Sequence, residues 1–160
     1  MPSNKRRRKK RDILGLASFG FFLLLVGVIW LITPNLSQAV GDFFSSFTLE
    51  KEVFPNVFLP SPTGRHPVVY AALARFCFVY GVFQIVILVL KVFLREPTDR
   101  VAGTFSGIVF WLGVGFVSNL LATEALEWFG FVGWLIVFIG VSLVARSLLM
   151  LLFEAALRKF

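Results

Sequence analysis

Four long runs of apolar residues dominate the sequence, and short polar stretches separate them. The runs cover residues 13–32, 67–94, 101–122 and 130–153. A helix rises about 1.5 Å per residue and the hydrocarbon core is about 30 Å thick, so about 20 residues suffice to cross a bilayer. Backbone amides that face lipid must be satisfied within their own segment, which requires helices. The pattern predicts an all-α integral membrane protein with four transmembrane helices.

Composition agrees with this pattern and excludes an ordinary soluble domain. Hydrophobic residues make up 58% of the 160 residues and charged residues 16%, against about 45–50% and about 25% in soluble domains. We expect a single four-helix transmembrane domain over residues 13–160, preceded by a basic tail at residues 1–12. Every proline lies in a loop or at a helix start, and none interrupts a run: Pro2, Pro34, Pro55, Pro60, Pro62, Pro67 and Pro97.

The basic residues indicate how the chain is oriented. Seven of the sixteen form one block, residues 5–11, directly before the first run. With the N-terminus inside, twelve Lys and Arg fall on the inner side and two, Lys51 and Arg65, on the outer side. The positive-inside rule then places both termini in the cytoplasm, and we expect the plasma membrane. We interpret the block as a topology signal that also attracts anionic lipid headgroups, rather than as a nucleic-acid site.

The outer loop, residues 33–66, begins with a segment of helical periodicity. Apolar residues recur along residues 34–48 with polar residues between them, which predicts a short amphipathic helix. Its apolar face is Leu36, Val40, Phe43, Phe44 and Phe47. This face either lies on the outer membrane surface or a partner protein, or it covers the protein's own helix bundle. The proline-rich stretch at 49–65 predicts an extended strap instead of a helix.

Residues that support catalysis or cofactor binding are scarce. The chain has one His, His66, and one Cys, Cys77. Paired-His haem sites and His-rich or Cys-rich metal sites therefore lack ligands. The nine acidic residues lie outside the four runs or at their edges, which argues against proton-coupled transport through an intramembrane carboxylate. We expect no cofactor, no metal and no enzymatic activity.

Two arginines lie within the apolar runs, Arg75 and Arg146. An Arg at the bilayer centre costs about 2.5–3.5 kcal/mol on insertion scales, so each needs a partner, water or a headgroup. Glu124 or Glu127 are the expected acceptors for Arg75, and inner headgroups, Glu96 or Asp99 those for Arg146. Either arginine can alternatively contact an anion or a lipid phosphate.

Neutral polar and small residues give weaker indications. Gln84 and Asn119 are candidates for hydrogen bonds between helices, and Gly103 and Gly107 form a G-x-x-x-G pattern that is typical of close helix contacts. The small size, the lack of acidic residues within the spans, the Phe-rich lateral surface and the apolar side chains of the outer loop favour a non-catalytic accessory, scaffold or assembly subunit of a larger membrane complex, with other membrane proteins as partners. The alternative is a small oligomeric channel or transporter for an anionic solute, with Arg75 or Arg146 touching the permeant.

Overall fold

A computed structural model describes the backbone of residues 3–54 and 57–157, and the side chains of residues 14–48 and 60–155. Its helices are α1 (Ser3–Ile32), α2 (Leu36–Ser45), α3 (Pro67–Phe93), α4 (Thr98–Ala122) and α5 (Trp128–Leu157). Two strands, β1 (Phe47–Phe54) and β2 (Val57–Pro62), lie between α2 and α3. The fold is therefore mostly helical, with one β-hairpin.

Four helices are long and apolar enough to cross a membrane, which confirms the four predicted spans. The qualifying segments are Leu14–Ile32, Pro67–Phe93, Thr98–Ala122 and Trp128–Ala155. Two of them start two or three residues before the apolar runs, because helix geometry begins directly after Pro97 and at Trp128. The helix of α1 continues back to Ser3, through the backbone of the basic tail. The side chains of that tail, and residues 158–160, lie outside the described residues.

The spans pack in a row in the order α1, α3, α4, α5. The most extensive contact is between α3 and α4, followed by α4 with α5, while α1 packs mainly on α3. One buried cluster joins α1, α2 and α3 through Leu25, Ile29, Leu36, Ala72 and Tyr80. A second cluster joins α3, α4 and α5 through Tyr70, Val117, Leu121 and Phe131. The four spans thus form an open row with α1 and α5 at its two ends.

Short turns reverse the chain between α3 and α4 and between α4 and α5, and each uses a residue with positive φ. Arg95 (φ 51°) follows α3, and Glu124 (φ 61°) follows α4. The next amide donates back into the last helical turn, from Glu96 to Lys91 O and from Ala125 to Leu120 O. Such left-handed residues end helices and satisfy their last carbonyls. Each of the spans α3, α4 and α5 is therefore antiparallel to the next, and α2, the hairpin and residues 123–127 lie together at what we call the hairpin end.

The loop between α1 and α3 corrects two expectations. The amphipathic helix ends at Ser45 instead of residue 48, so Phe47 belongs to β1. The proline-rich stretch is extended as expected, but its residues 57–62 pair with residues 47–54 as an antiparallel hairpin in which Phe47 faces Pro62 and Thr48 faces Ser61. Both strands of a two-stranded hairpin are edge strands, where proline is tolerated because no ladder bond is lost on the open side.

Candidate functional site

An aromatic cluster fixes α2 and the hairpin onto the spans. The Phe43 ring of α2 makes edge contacts with Phe47, His66, Tyr70 and Trp128, at centroid distances of 5.1, 5.4, 5.8 and 6.0 Å. Edge-to-face pairs of this kind contribute about 0.5–1.5 kcal/mol each beyond their buried area. The amphipathic helix therefore covers the protein's own helices, which is one of the two arrangements expected from the sequence.

The predicted apolar face of α2 is divided between the interior and the surface. Leu36 is buried, and Val40 packs against the cluster that Leu36 shares with α1 and α3. Phe44 contacts the Phe43 ring at a centroid distance of 5.5 Å but is 70% exposed. Only one aromatic ring of the predicted face is thus left for lipid or a partner.

Hydrogen bonds close the base of the hairpin. The backbone N–H and the hydroxyl of Thr63 both donate to the Ser46 carbonyl, each at 2.8 Å. Ser46 Oγ and His66 Nε2 share a hydrogen bond of 2.9 Å. The ends of the loop are therefore held together just outside α3, and His66 acts as a structural residue at this position.

A cleft of about 610 Å³ lies between the base of the hairpin and the α4–α5 turn. An ion pair spans it, from Arg65 Nη1 to Glu124 Oε1 at 3.0 Å. Glu127 and Trp128 also line this cleft. Because both members of the pair are at least half exposed, we expect the pair to contribute little to stability.

Arg75 lies on the other side of α2, which corrects the expected pairing with Glu124 or Glu127. It lines a cleft of about 570 Å³ between α2 and α3, which we call the Arg75 cleft, together with Thr33, Asn35, Gln38 and Asp42. Within the described side chains Arg75 has no ion pair, since the three salt bridges there involve Arg65, Arg100 and Arg146. Arg75 is an exposed residue.

Arg146 lies at the opposite end of the molecule and pairs with Asp99. Its Nη2 donates to Asp99 Oδ1 at 2.6 Å, which joins α5 to the start of α4. Asp99 is one of the two carboxylates expected from the sequence. Nearby, Lys91 Nζ donates to Thr104 Oγ1 at 2.6 Å, and that hydroxyl donates to Arg100 O at 2.9 Å. These polar contacts tie α3, α4 and α5 together opposite the hairpin end.

Among the residues that the structure describes, no neighbouring helix packs closely on the predicted G-x-x-x-G pattern. A Cβ atom added at Gly103 or Gly107 would meet no atom within 4 Å. The close helix approaches occur further along α4. A Cβ at Gly113 would overlap the Phe138 ring of α5, and one at Gly115 would lie 3.1 Å from Cys77 Cβ of α3. The sequence contains both sets of glycines, and only the position of the neighbouring helix distinguishes them.

The other polar candidates do not join a common site. Gln84 is half-buried on α3, and Asn119 is exposed near the end of α4. The contact between α4 and α5 uses serines instead, with Ser106 Oγ donating to Ser142 O at 2.7 Å. A hydroxyl-to-carbonyl bond between helices needs only a small residue at the contact, which is why it was missed from the sequence.

The candidate sites in the described residues are ion pairs and clefts lined by charged and polar side chains. Their His, Cys, Asp and Glu side chains form no group of three that could hold a metal ion. Cys77 is fully buried between α3 and α4. Comparisons with protein-family models, with curated proteins and with solved structures return no match for this chain.

Proposed function

We propose that this protein is a non-catalytic accessory or assembly subunit of a larger membrane complex. The observation that carries the proposal is the free face of α5. Gly133, Gly140 and Ser147 follow one another at intervals of seven residues and are all exposed. At 100° per residue they lie on one side of the helix, opposite the buried Phe131 and Ser142.

This line of small residues is more specific than the apolar surface around it. Exposed Leu and Val side chains pack favourably against lipid tails. A glycine, by contrast, lowers the stability of a helix by about 1 kcal/mol relative to alanine unless close packing compensates. A Cβ atom at Gly133 or Gly140 would meet nothing within 4 Å, so no described part of this chain uses the space. Small residues in line allow the backbone of another transmembrane helix to approach closely. A helix of a partner subunit fits this face.

The proposal also gives the protein an orientation and a location. The hairpin end would lie outside the plasma membrane and both termini in the cytoplasm, because Lys and Arg are concentrated beyond the other ends of the spans. The basic N-terminal block would then contact anionic headgroups of the inner leaflet.

Co-purification tests the proposed role. Isolation of the native protein in a mild detergent should yield heterologous membrane subunits at fixed stoichiometry. Gly140→Leu should release them, because the added side chain occupies the space of the approaching helix. The matched control is Val141→Leu, which adds bulk at an exposed residue about 100° around the same helix and should retain the partners.

Two outcomes would reject the proposal. One is a complex that Gly140→Leu leaves unchanged. The other is a protein that runs only with itself and conducts anions in liposomes, which would establish the channel alternative.

Cysteine labelling tests the orientation. The one native cysteine, Cys77, is fully buried, so a membrane-impermeant maleimide should report cysteines introduced at the surface. Ser45→Cys on α2 should react in intact cells, and Arg95→Cys in the α3–α4 turn only after permeabilisation. The reverse pattern would invert the topology.

A further inference from the structure

The Arg75 cleft combines charges of both signs at the edge of a membrane span. Its α3 wall is one helix face, with Val68 and Ala71 followed by Arg75, and its α2 wall carries Gln38 and Asp42. Arg75 is eight residues beyond Pro67, about 12 Å along the helix at 1.5 Å per residue. Asp42 belongs to α2, outside the spans. The cleft therefore has a cation within the span and a carboxylate beyond its end.

Neither charge is paired within the described residues. The salt bridges there, at N–O distances of up to 4.0 Å, include neither Arg75 nor Asp42. An arginine at this depth is stable only with an anion, water or a headgroup near it. The two side chains line the same cleft without meeting, so a ligand that carries both charges would satisfy them together.

Thr33 provides a second, independent indication of a ligand. It also lines the cleft and is 6% exposed. Its hydroxyl has no hydrogen-bond partner in the part of the chain that the structure describes. A buried hydroxyl without a partner costs free energy and calls for a bound group. The amides of Asn35 and Gln38 add further donors along the same wall.

An apolar strip continues from Arg75 along α3. Val79, Val82 and Val86 follow at four, seven and eleven residues and are 45%, 56% and 52% exposed. This spacing keeps them on the same helix face as Arg75. The hydrocarbon chains of a lipid whose headgroup is bound at Arg75 would therefore lie directly along this strip. A water-soluble anion has no hydrocarbon chains to contact it.

We propose that the Arg75 cleft binds the headgroup of a membrane phospholipid of the ethanolamine type. The guanidinium of Arg75 binds the phosphodiester through charge-assisted hydrogen bonds, and the Asp42 carboxylate accepts from the primary ammonium. Because one cation and one anion line the cleft, a zwitterionic headgroup with hydrogen-bonding ammonium protons fits it better than a purely anionic one. The assignment is independent of the proposed subunit role.

Native mass spectrometry of the full-length protein with defined lipids tests the site. Phosphatidylethanolamine should remain bound in preference to phosphatidylcholine, whose quaternary amine cannot donate, and to phosphatidylglycerol. Arg75→Gln should weaken retention of phosphatidylethanolamine about tenfold, since charged hydrogen bonds are lost. Asp42→Asn should abolish the preference over phosphatidylcholine while phosphate-dependent binding persists. The control is Arg65→Gln, which removes a charge at the same end outside this cleft and should leave retention unchanged.

Two further measurements test whether a phospholipid occupies the Arg75 cleft. Phosphatidylethanolamine with a photoreactive headgroup should crosslink to residues 33–42 and 67–75 of the wild-type protein. This measurement does not depend on the folding of any variant. Crosslinking of α1 and α5 to the same extent as these residues would overturn the site. Equal retention of phosphatidylethanolamine by Arg75→Gln and wild type would overturn it as well. Displacement by soluble glycerophosphoethanolamine at the same concentration would overturn the assignment to a lipid.

Discussion

Arg146 and Asp99 lie 47 positions apart in the chain, yet their side chains meet at 2.6 Å. The contact joins the last span to the first turn of the preceding one, opposite the hairpin end. Asp99 is also in the first turn of α4, where a negative charge is favourable near the helix N-terminus. One carboxylate thus serves both a helix terminus and an interhelical contact.

We expect a small coupling energy between these two residues. The side chains are 44% and 56% exposed, and exposed pairs contribute about 0.2–1 kcal/mol. A double-mutant cycle of Arg146→Gln and Asp99→Asn, followed by reversible unfolding in bicelles, measures it. Arg95→Gln, at an exposed arginine without an ion pair among the described residues, should show no coupling to Asp99→Asn. A coupling well above this range would mean that lipid shields the pair from water.

Gly113→Ala should destabilise the contact between α4 and α5. The new methyl group would overlap the Phe138 ring, and overpacking of this kind typically costs about 1–3 kcal/mol. Unfolding in bicelles measures the loss, and adding Phe138→Leu should recover part of it. Gly107→Ala is the matched control, since its Cβ would meet nothing within 4 Å. If Gly107→Ala is the more damaging change, the assignment of the close helix approaches is wrong.

Phe43→Ala should loosen α2 from the spans. It removes the ring that contacts the hairpin, α3 and α5 at once, and each such pair contributes about 0.5–1.5 kcal/mol. Amide hydrogen exchange of residues 36–45 in nanodiscs should become faster. Phe44→Ala removes an equally large ring that is 70% exposed and should leave exchange nearly unchanged.

Thr104→Val should destabilise the packing of α3 on α4. The change keeps the shape of the side chain but removes the acceptor for Lys91 Nζ, and leaving a partly buried donor unsatisfied costs about 1–3 kcal/mol. Unfolding in bicelles measures the cost. Thr123→Val, at an exposed helix end, should cost less. Equal costs at the two positions would show that the Lys91 contact contributes nothing.

The sequence predicted the spans well because their signal is local. Length and apolar content alone define Pro67–Phe93 and Thr98–Ala122, and proline placement set the starts to within a few residues. The hairpin was missed because prolines at 55, 60 and 62 argue against a central strand. An isolated two-stranded hairpin has only edge strands, and edge strands tolerate proline.

The predicted contacts of individual residues depended on which helices are neighbours, and the sequence carries little information about helix neighbours. Gly103 and Gly113 occur on one helix, yet only the second faces Phe138. Depth along the helix pairs Arg75 with Glu124, whereas in the structure Glu124 pairs with Arg65, and α2 occupies the side of α3 that Arg75 faces. Contacts between elements that are distant in sequence decide such pairings.

The row of spans has a consequence for how the protein is made. Within residues 67–157, each new span packs on the one synthesised just before it. A ribosome delivering the chain N-terminus first would therefore release each helix beside a neighbour already in the bilayer. Packing of α3, α4 and α5 can therefore keep pace with translation, whereas α2 docks fully only once Trp128 of α5 has emerged.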